Sequence, residues 1–388
     1  MAWIIPENKL DAQQRDFLDN MDINKRNVWI KGFAGSGKSV LLVYTAKRIK
    51  SRSSSSNVIL IVFTRSLVAM FKAAFRELGL DVRIATYYEF MREKGHYDYI
   101  LCDEVQDLTP RVIREMNRRG SHIIVAGDSN QSIYTRDPHW GELTLQPSEI
   151  VPLINGLPFE LSIIHRLSRS IIDAVQRFLP NMNIFSSKRD MTKSDTQIRL
   201  CEAPSEAKET KYIMEQASKA VKQGYTAAIL FPTHRKIIQF ANMALRYANK
   251  PEWKTTMNLY NTSPDYSSLN SHLKNMDIGM QYVGNSYGNF SENDRRIVLM
   301  TFQSSKGLDF DNVFIPFANA SLFVSQDESL AKTLFMVAMT RAKENLYITY
   351  YGYPSDYLDS FKSNCSHINI SSTEATKSVC SSSNVWGF

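Results

Sequence analysis

The chain has 388 residues, 43% of them apolar and 22% charged, with a formal net charge of +7. That length points to two domains rather than one core, and the balance favours neither a disordered chain nor a membrane-inserted one. Four widely spaced cysteines, Cys102, Cys201, Cys365 and Cys380, form no C-x-x-C pair, which argues against a zinc site or a disulfide framework. The first residues lack a basic start followed by an apolar stretch, so a cytoplasmic location is the expectation. The positive charge suits a polyanionic partner and equally suits plain solubility, because Lys and Arg are spread along the chain without a basic block.

In chain order, Val28-Trp29-Ile30 reads as a strand and residues 40–49 as a helix, and between them stands Gly32-Phe33-Ala34-Gly35-Ser36-Gly37-Lys38-Ser39. This matches the phosphate-binding pattern G-x-x-x-x-G-K-[ST] in its required setting, strand before and helix after. The glycines Gly32, Gly35 and Gly37, with Ser36, let successive N–H groups face phosphate oxygens at the positive end of the helix. Lys38 is placed to reach the outer phosphates and Ser39 to ligate magnesium. A nucleoside triphosphate is therefore the expected ligand, and an ordinary Gly-rich turn the weaker reading.

Apolar runs at 58–63, 82–85, 99–102 and 123–126 continue the strand series, with a Ser-rich surface loop at 51–56. Their alternation with helical patterns predicts a parallel sheet covered by helices. The run at 99–102 ends in Asp103-Glu104, paired carboxylates of the Walker B kind: Asp103 for magnesium, Glu104 to orient or deprotonate the attacking water. A second series at 198–201, 227–231, 297–301, 313–316 and 346–350, with a helix at 208–222, predicts a second sheet. Residues 250–293 are richer in Asn, Ser, Tyr and Gly and read as irregular structure or a small insertion. Residues 371–384 are Ser/Thr-rich and read as a disordered tail, beyond which 385–388 offer an apolar end that could dock. No internal repeat is present.

Asp103-Glu104-Val105-Gln106-Asp107, followed by Val125-Ala126-Gly127-Asp128-Ser129-Asn130-Gln131-Ser132-Ile133-Tyr134, resembles the superfamily 1 helicases of the UvrD/Rep/PcrA type. The other motifs of that family follow in order over roughly residues 8–350. Leu10-Asp11-Ala12-Gln13-Gln14-Arg15 is similar to the Q-motif, in which Gln14 would read the adenine edge. Phe63-Thr64-Arg65-Ser66 and Thr86-Tyr87-Tyr88 fall where the family contacts a single strand. Ile164-His165-Arg166 stands for an N-Y-R core and Phe231-Pro232-Thr233-His234-Arg235 for the next motif. Thr301 to Phe310 is close to T-x-H-x-x-K-G-L-E-F, and Val337-Ala338-Met339-Thr340-Arg341-Ala342 matches the last motif.

The resemblance implies an α/β fold of two tandem RecA-like P-loop NTPase domains, each with a parallel sheet, and an ATP site in the cleft between them. The expected boundaries are 1–158 for the first domain, 159–355 for the second with its irregular insertion near 250–293, and 356–388 for a Ser-rich tail. ATP and Mg2+ are the implied cofactors. Gln131 would sense the γ-phosphate, Arg166 and Arg341 would project from the second domain as arginine fingers, and Asp309 would accept from the ribose. Phe63, Thr64, Arg65, Thr86, Tyr87, Tyr134 and Lys306 would meet nucleic acid, by stacking or at phosphates. The implied activity is a DNA-dependent ATPase stepping 3′ to 5′ on single-stranded DNA.

Departures are visible. His165 stands where the family stacks a Tyr on adenine, and Arg136 where it has a Trp or Phe, with Trp140 a candidate spatial substitute. Gln303 replaces a His and Asp309 shortens a Glu. The spacing between motifs leaves no room for large accessory insertions, so the chain reads as a compact motor core. One alternative is a nucleotide-switched subunit that binds DNA or a partner protein with little unwinding of its own. RNA stays open as substrate, since no residue reports on a 2′-hydroxyl.

Overall fold

The computed structural model describes residues 4–128, 132–180, 188–189, 194–258, 263–284, 287–288 and 295–371. The chain divides into two compact units, Met1–Leu167 with Asn183–Met191, and Ser168–Met182 with Thr192–Phe388.

In the first unit α1 (Ala12–Asn20) leads to β1 (Asn27–Gly32), α2 (Lys38–Arg52), β2 (Val58–Val62), α3 (Arg65–Glu77), β3 (Arg83–Thr86), α4 (Tyr87–Arg92) and β4 (Tyr97–Cys102). Then come α5 (Pro110–Arg119), β5 (Gly120–Gly127), α6 (Pro147–Ile154) and β6 (Gly156–Leu161). The six strands form one parallel sheet in the order β3-β2-β4-β5-β1-β6. Both faces are covered, as parallel sheets require. On β1, Val28 and Ile30 enter one apolar cluster while Trp29 enters the other; on β2, Leu60 faces the first and Ile59 and Ile61 the second. Short strands β7 (Ile163–Ile164) and β8 (Lys188–Arg189) pair in parallel within this unit.

The second unit starts with α7 (Arg169–Phe178) and continues with β9 (Gln197–Ala203), α8 (Glu206–Lys222), β10 (Ala227–Phe231), α9 (His234–Tyr247), α10 (Tyr266–Asn275), β11 (Met280–Tyr282) and β12 (Ile297–Thr301). It ends with β13 (Phe310–Ile315), α11 (Glu328–Met339), β14 (Ala342–Tyr351) and β15 (Ser366–Asn369). Its seven strands are parallel in the order β11-β12-β10-β13-β14-β9-β15. Two expectations are corrected here. The stretch 250–293 is not simply irregular: α10 buries Tyr266, Leu269 and Leu273, and β11 adds an edge strand that is buried throughout. Residues 366–369, grouped by sequence with the tail, pair with β9. Residues 372–388 lie outside the described ones. Among the described residues no helix is long and apolar enough to cross a membrane.

In an open parallel sheet the carboxyl ends of the strands are where loops converge on a ligand. In the first unit that edge carries Gly32 at the end of β1, Phe63 after β2, Tyr87 after β3, Asp103 after β4 and Asp128 after β5. Five strands thus deliver the sequence motifs to one side of one sheet.

Candidate nucleotide and nucleic-acid site

The phosphate loop is built on two glycines in the left-handed region, Gly35 (φ 79°) and Gly37 (φ 86°), the latter capping α2. An L side chain is strained there, and neighbours forbid one as well. A Cβ on Gly35 would lie 2.3 Å from Cβ of Arg166, and one on Gly37 would lie 2.2 Å from Nε2 of Gln14. Lys38 is nearly buried, its ammonium donating to the carbonyls of Gly32 (2.9 Å) and Phe33 (3.0 Å), so its charge rests over the loop that phosphates would enter.

Ser39, one residue into α2, donates from Oγ to Oδ2 of Asp103 at 2.6 Å, which joins the helix start to the tip of β4. Burial pushes the Asp103 carboxyl up to about 6, helped by the adjacent charge of Glu104 and opposed by the Ser39 hydroxyl and by Lys38. A buried carboxylate and a hydroxyl side by side, with a second carboxylate next door, are the hard oxygen donors that a magnesium ion takes. Glu104 holds its backbone at φ 55°, ψ 44°, unusual for a residue with a side chain and of a kind that concentrates at functional sites. Its Oε2 accepts from Nε2 of Gln106 at 2.5 Å, while Oε1 of Gln106 accepts from the backbone N–H of Asp128 at 3.1 Å. Gln106 is fully buried, and a Cβ on Gly127 would lie 2.4 Å from its Oε1. Gln106, to which no local pattern gives a role, is the strut that aims Glu104 and ties it to the end of β5. Gln131 lies outside the described residues.

Gln14 is placed differently from a base reader. Asp11 caps α1, accepting from the N–H of Gln14 (2.8 Å) while Oε1 of Gln14 accepts from the N–H of Asp11 (3.1 Å), a capping box. Nε2 of Gln14 then donates to the carbonyl of Ser36 at 3.1 Å. From the other side the N–H groups of His165 and Arg166 both donate to the carbonyl of Gly35, at 2.9 and 3.2 Å. A peptide unit is planar and trans, so fixing a carbonyl fixes the following N–H in the opposite direction. The tether on the Ser36 carbonyl therefore sets how the loop presents the Gly37 amide, while the Ser36 amide donates to the carbonyl of Phe33 at 3.1 Å. Nε2 of His165 meets Oδ2 of Asp11 at 2.6 Å. Burial raises the Asp11 carboxyl, but the hydrogen bond and charge of His165 and the capped amides outweigh it and hold Asp11 below its ordinary range. His165 is thus held against the cap of α1, and Arg166 lies against Gly35 within the first unit.

The strand-contact residues separate into two groups. Phe63 and Tyr134 remain partly exposed and Arg65 is exposed. Phe63 stacks on Tyr87 at 5.0 Å between centroids and packs on Tyr134 at 4.6 Å. Tyr87 is buried, so it backs Phe63 and does not offer a face to a base. Thr64 caps α3 by accepting from the N–H of Leu67, and Thr86 caps α4 in a capping box with Glu89. Those hydroxyls serve the helices.

In the second unit Arg341 is fully buried. Nε donates to the carbonyl of Val337 (2.9 Å), Nη1 to that of Leu308 (3.3 Å) and Nη2 to Oγ1 of Thr340 (2.9 Å), with Asp309 4.0 Å from Nη1. Arg341 and Asp309 stand just before β14 and β13, at the amino edge of that sheet. Lys306 is buried too, which differs from an open phosphate contact.

A family model for the AAA domain matches residues 14–137 and one for the UvrD-like helicase C-terminal domain matches residues 247–353. A probable DNA helicase II homologue of Mycoplasma capricolum is 28% identical over 182 residues, covering 44% of this chain and 25% of that protein. The F-box DNA helicase protein 1 of Schizosaccharomyces pombe is 22% identical over 356 residues, covering 78% of this chain and 40% of its own. The chain therefore spans less than half the length of either relative. Among solved structures, the PRRSV helicase shows a TM-score of 0.43 at 14% identity, over 84% of this chain and 53% of that one. With the two family models placed on the units that carry their motifs, these matches together support a UvrD-like superfamily 1 helicase.

Proposed function

We propose that the protein is an ATP-dependent motor on single-stranded DNA, stepping 3′ to 5′. The observation that carries the reading is the junction of Ser39 with Asp103 at 2.6 Å beside Glu104, at the mouth of a tethered phosphate loop. Lys38 and the loop amides bind the triphosphate, while Ser39 and Asp103 hold magnesium, which when bound neutralises charge on the phosphates. Glu104, aimed by Gln106, takes the proton of the attacking water. Arg166, which lies against Gly35, spreads the charge that develops on the transferred phosphoryl group. Phe63 and Tyr134 supply ring faces for bases and Arg65 a cation for phosphate.

An ATPase titration with single-stranded DNA, duplex DNA and RNA side by side tests substrate and coupling together. Strong stimulation by single-stranded DNA, lost in Lys38→Ala, is the expected result. Unwinding of a 3′-tailed but not a 5′-tailed duplex fixes the direction. Absence of any stimulation sinks the motor reading in favour of a nucleotide-switched subunit.

A further inference from the structure

Gln14 and His165, the two residues that the resemblance sets on the adenine, belong to a network of hydrogen bonds joining the start of α1, the phosphate loop and residues 162–166. Gln14 is 1% exposed, and both ends of its amide are engaged, Oε1 with the N–H of Asp11 and Nε2 with the carbonyl of Ser36, each at 3.1 Å. Its neighbour Gln13 is engaged in the same way: Nε2 donates to Oγ of Ser162 and Oε1 accepts from the N–H of Ser162, both at 2.9 Å. Asp11 uses Oδ1 for the N–H of Gln14 at 2.8 Å and Oδ2 for Nε2 of His165 at 2.6 Å. The imidazole, its side chain 31% exposed, is therefore held by its polar edge.

A base is told from its rivals by the donors and acceptors on its edge, and an amide that matches adenine must offer both of its ends at once. For Gln14 to do so, the N–H of Asp11 and the carbonyl of Ser36 would each lose a partner, and two new bonds would replace two existing ones. That exchange leaves little net gain to separate adenine from the other bases. A site built to read a polar edge rejects a ligand lacking it by about 10⁴- to 10⁵-fold, because its own buried groups are left unpaired. Here those groups are paired within the protein. The ring of His165, held at its edge, offers a base only stacking, and every base has a face to stack. Lys38 and the loop amides, in contrast, serve phosphates that all nucleoside triphosphates share.

We infer that the site recognises the triphosphate and not the base: its substrate class is nucleoside triphosphates at large, and Gln14 and His165 are positioning residues that shape the loop. The inference rests on the reading of this loop as a triphosphate site, and not on DNA, direction or hydrolysis.

The test is competition against a ribose-labelled fluorescent ATP bound to the full chain, with magnesium and without DNA. The competitors are ATP, GTP, CTP, UTP and adenosine. The four triphosphates are expected to fall within about tenfold of one another, and adenosine to leave the label in place at concentrations where ATP displaces it. A preference of more than about tenfold for any one base, or displacement by adenosine, overturns the inference while the triphosphate site stands. His165→Ala changes a partly exposed side chain and keeps the backbone donors to Gly35, so it is expected to shift the four affinities by one common factor. A loss confined to one base in that variant likewise overturns the inference. If the labelled nucleotide fails to bind the wild type, the triphosphate reading itself falls.

Discussion

Two buried carboxyls, Asp103 in the first unit and Glu209 in the second, share one physical signature and differ in their company. Both are pushed up by burial, Asp103 to about 6 and Glu209 to about 7. Around Asp103 stand Ser39, Lys38 and Glu104, a set of hard oxygens and a cation at the mouth of a loop. Around Glu209, on α8, stand two donors to Oε1, the N–H of Phe317 at 2.8 Å and the hydroxyl of Thr349 at 2.5 Å, with the charges of Glu206 and Lys236 as weaker influences and no phosphate loop beside them. Phe317 follows β13 with φ 60°, so Glu209 braces a strained turn. A raised carboxyl therefore marks chemistry only where neighbours can hold a ligand.

Neutral isosteres sharpen that contrast, and the largest effect falls on the first unit. Glu104→Gln is expected to lower ATP turnover about 10²- to 10⁴-fold with little change in urea midpoint, and Asp103→Asn to abolish the response to magnesium while raising the urea midpoint at pH 8, because that carboxyl too is pushed up by burial. ATPase assays over a magnesium titration check both, and near-wild-type turnover in Glu104→Gln would remove it from the water-activating role.

Glu209→Gln should leave turnover alone and change stability instead. Its folded value of about 7 lies above the ordinary 4.5, so the folded state keeps a proton that the unfolded chain releases between those pH values. Stability contributed by this group is thus full below pH 4.5, falls as pH rises, and is about 3 kcal/mol lower above pH 7. The variant is expected to lose that part of the fall and to be the more stable protein at pH 8. Urea unfolding at pH 5 and pH 8 decides, and equal pH dependence in both proteins would show that Glu209 stays ionised in the fold. Asp103 leaves a smaller slope of the same sign in the variant.

Next in size is Gly35→Ala. The left-handed backbone and the overlap with Arg166 together cost about 2 kcal/mol or more. Unfolding curves measure it, and nucleotide affinity should fall with it because the tether from His165 and Arg166 to the Gly35 carbonyl must shift.

How much of this was legible in the sequence follows from what each element depends on. The apolar strands β2, β10 and β12 were readable because central parallel strands are buried on both faces and made of uninterrupted apolar residues. Strand β6 was not, since Gly-Leu-Pro-Phe-Glu-Leu lies at a sheet edge, where Pro158 is tolerated and half the residues face outward. Strand β11 is three residues long and owes its place to β12. In the candidate site, Lys38, Ser39, Asp103 and Glu104 stand out in the sequence because each lies in a short pattern of fixed spacing. The strut Gln106 and the pairing of His165 with Asp11, 154 residues apart, depend on tertiary approach that no local pattern encodes. Tyr87 and Thr86 were assigned to the strand by motif position, but their neighbours in space bury them.

The smallest predicted effect separates two readings of one residue. Gln14 was expected to read adenine, yet its amide closes the capping box of α1 at one end and holds the Ser36 carbonyl at the other. Gln14→Ala removes the reciprocal half of the box, worth about 0.5 to 1 kcal/mol in unfolding, since Asp11 can still cap. It also frees the Ser36 peptide, so the loop presents its amides less well to any triphosphate. The expected outcome is that ATP and GTP lose affinity by the same factor, read by competition with a fluorescent nucleotide. A loss confined to ATP would return Gln14 to base recognition. It would also mean that the amide turns away from Ser36 when nucleotide binds, leaving the His165 and Arg166 amides as the tethers of the loop.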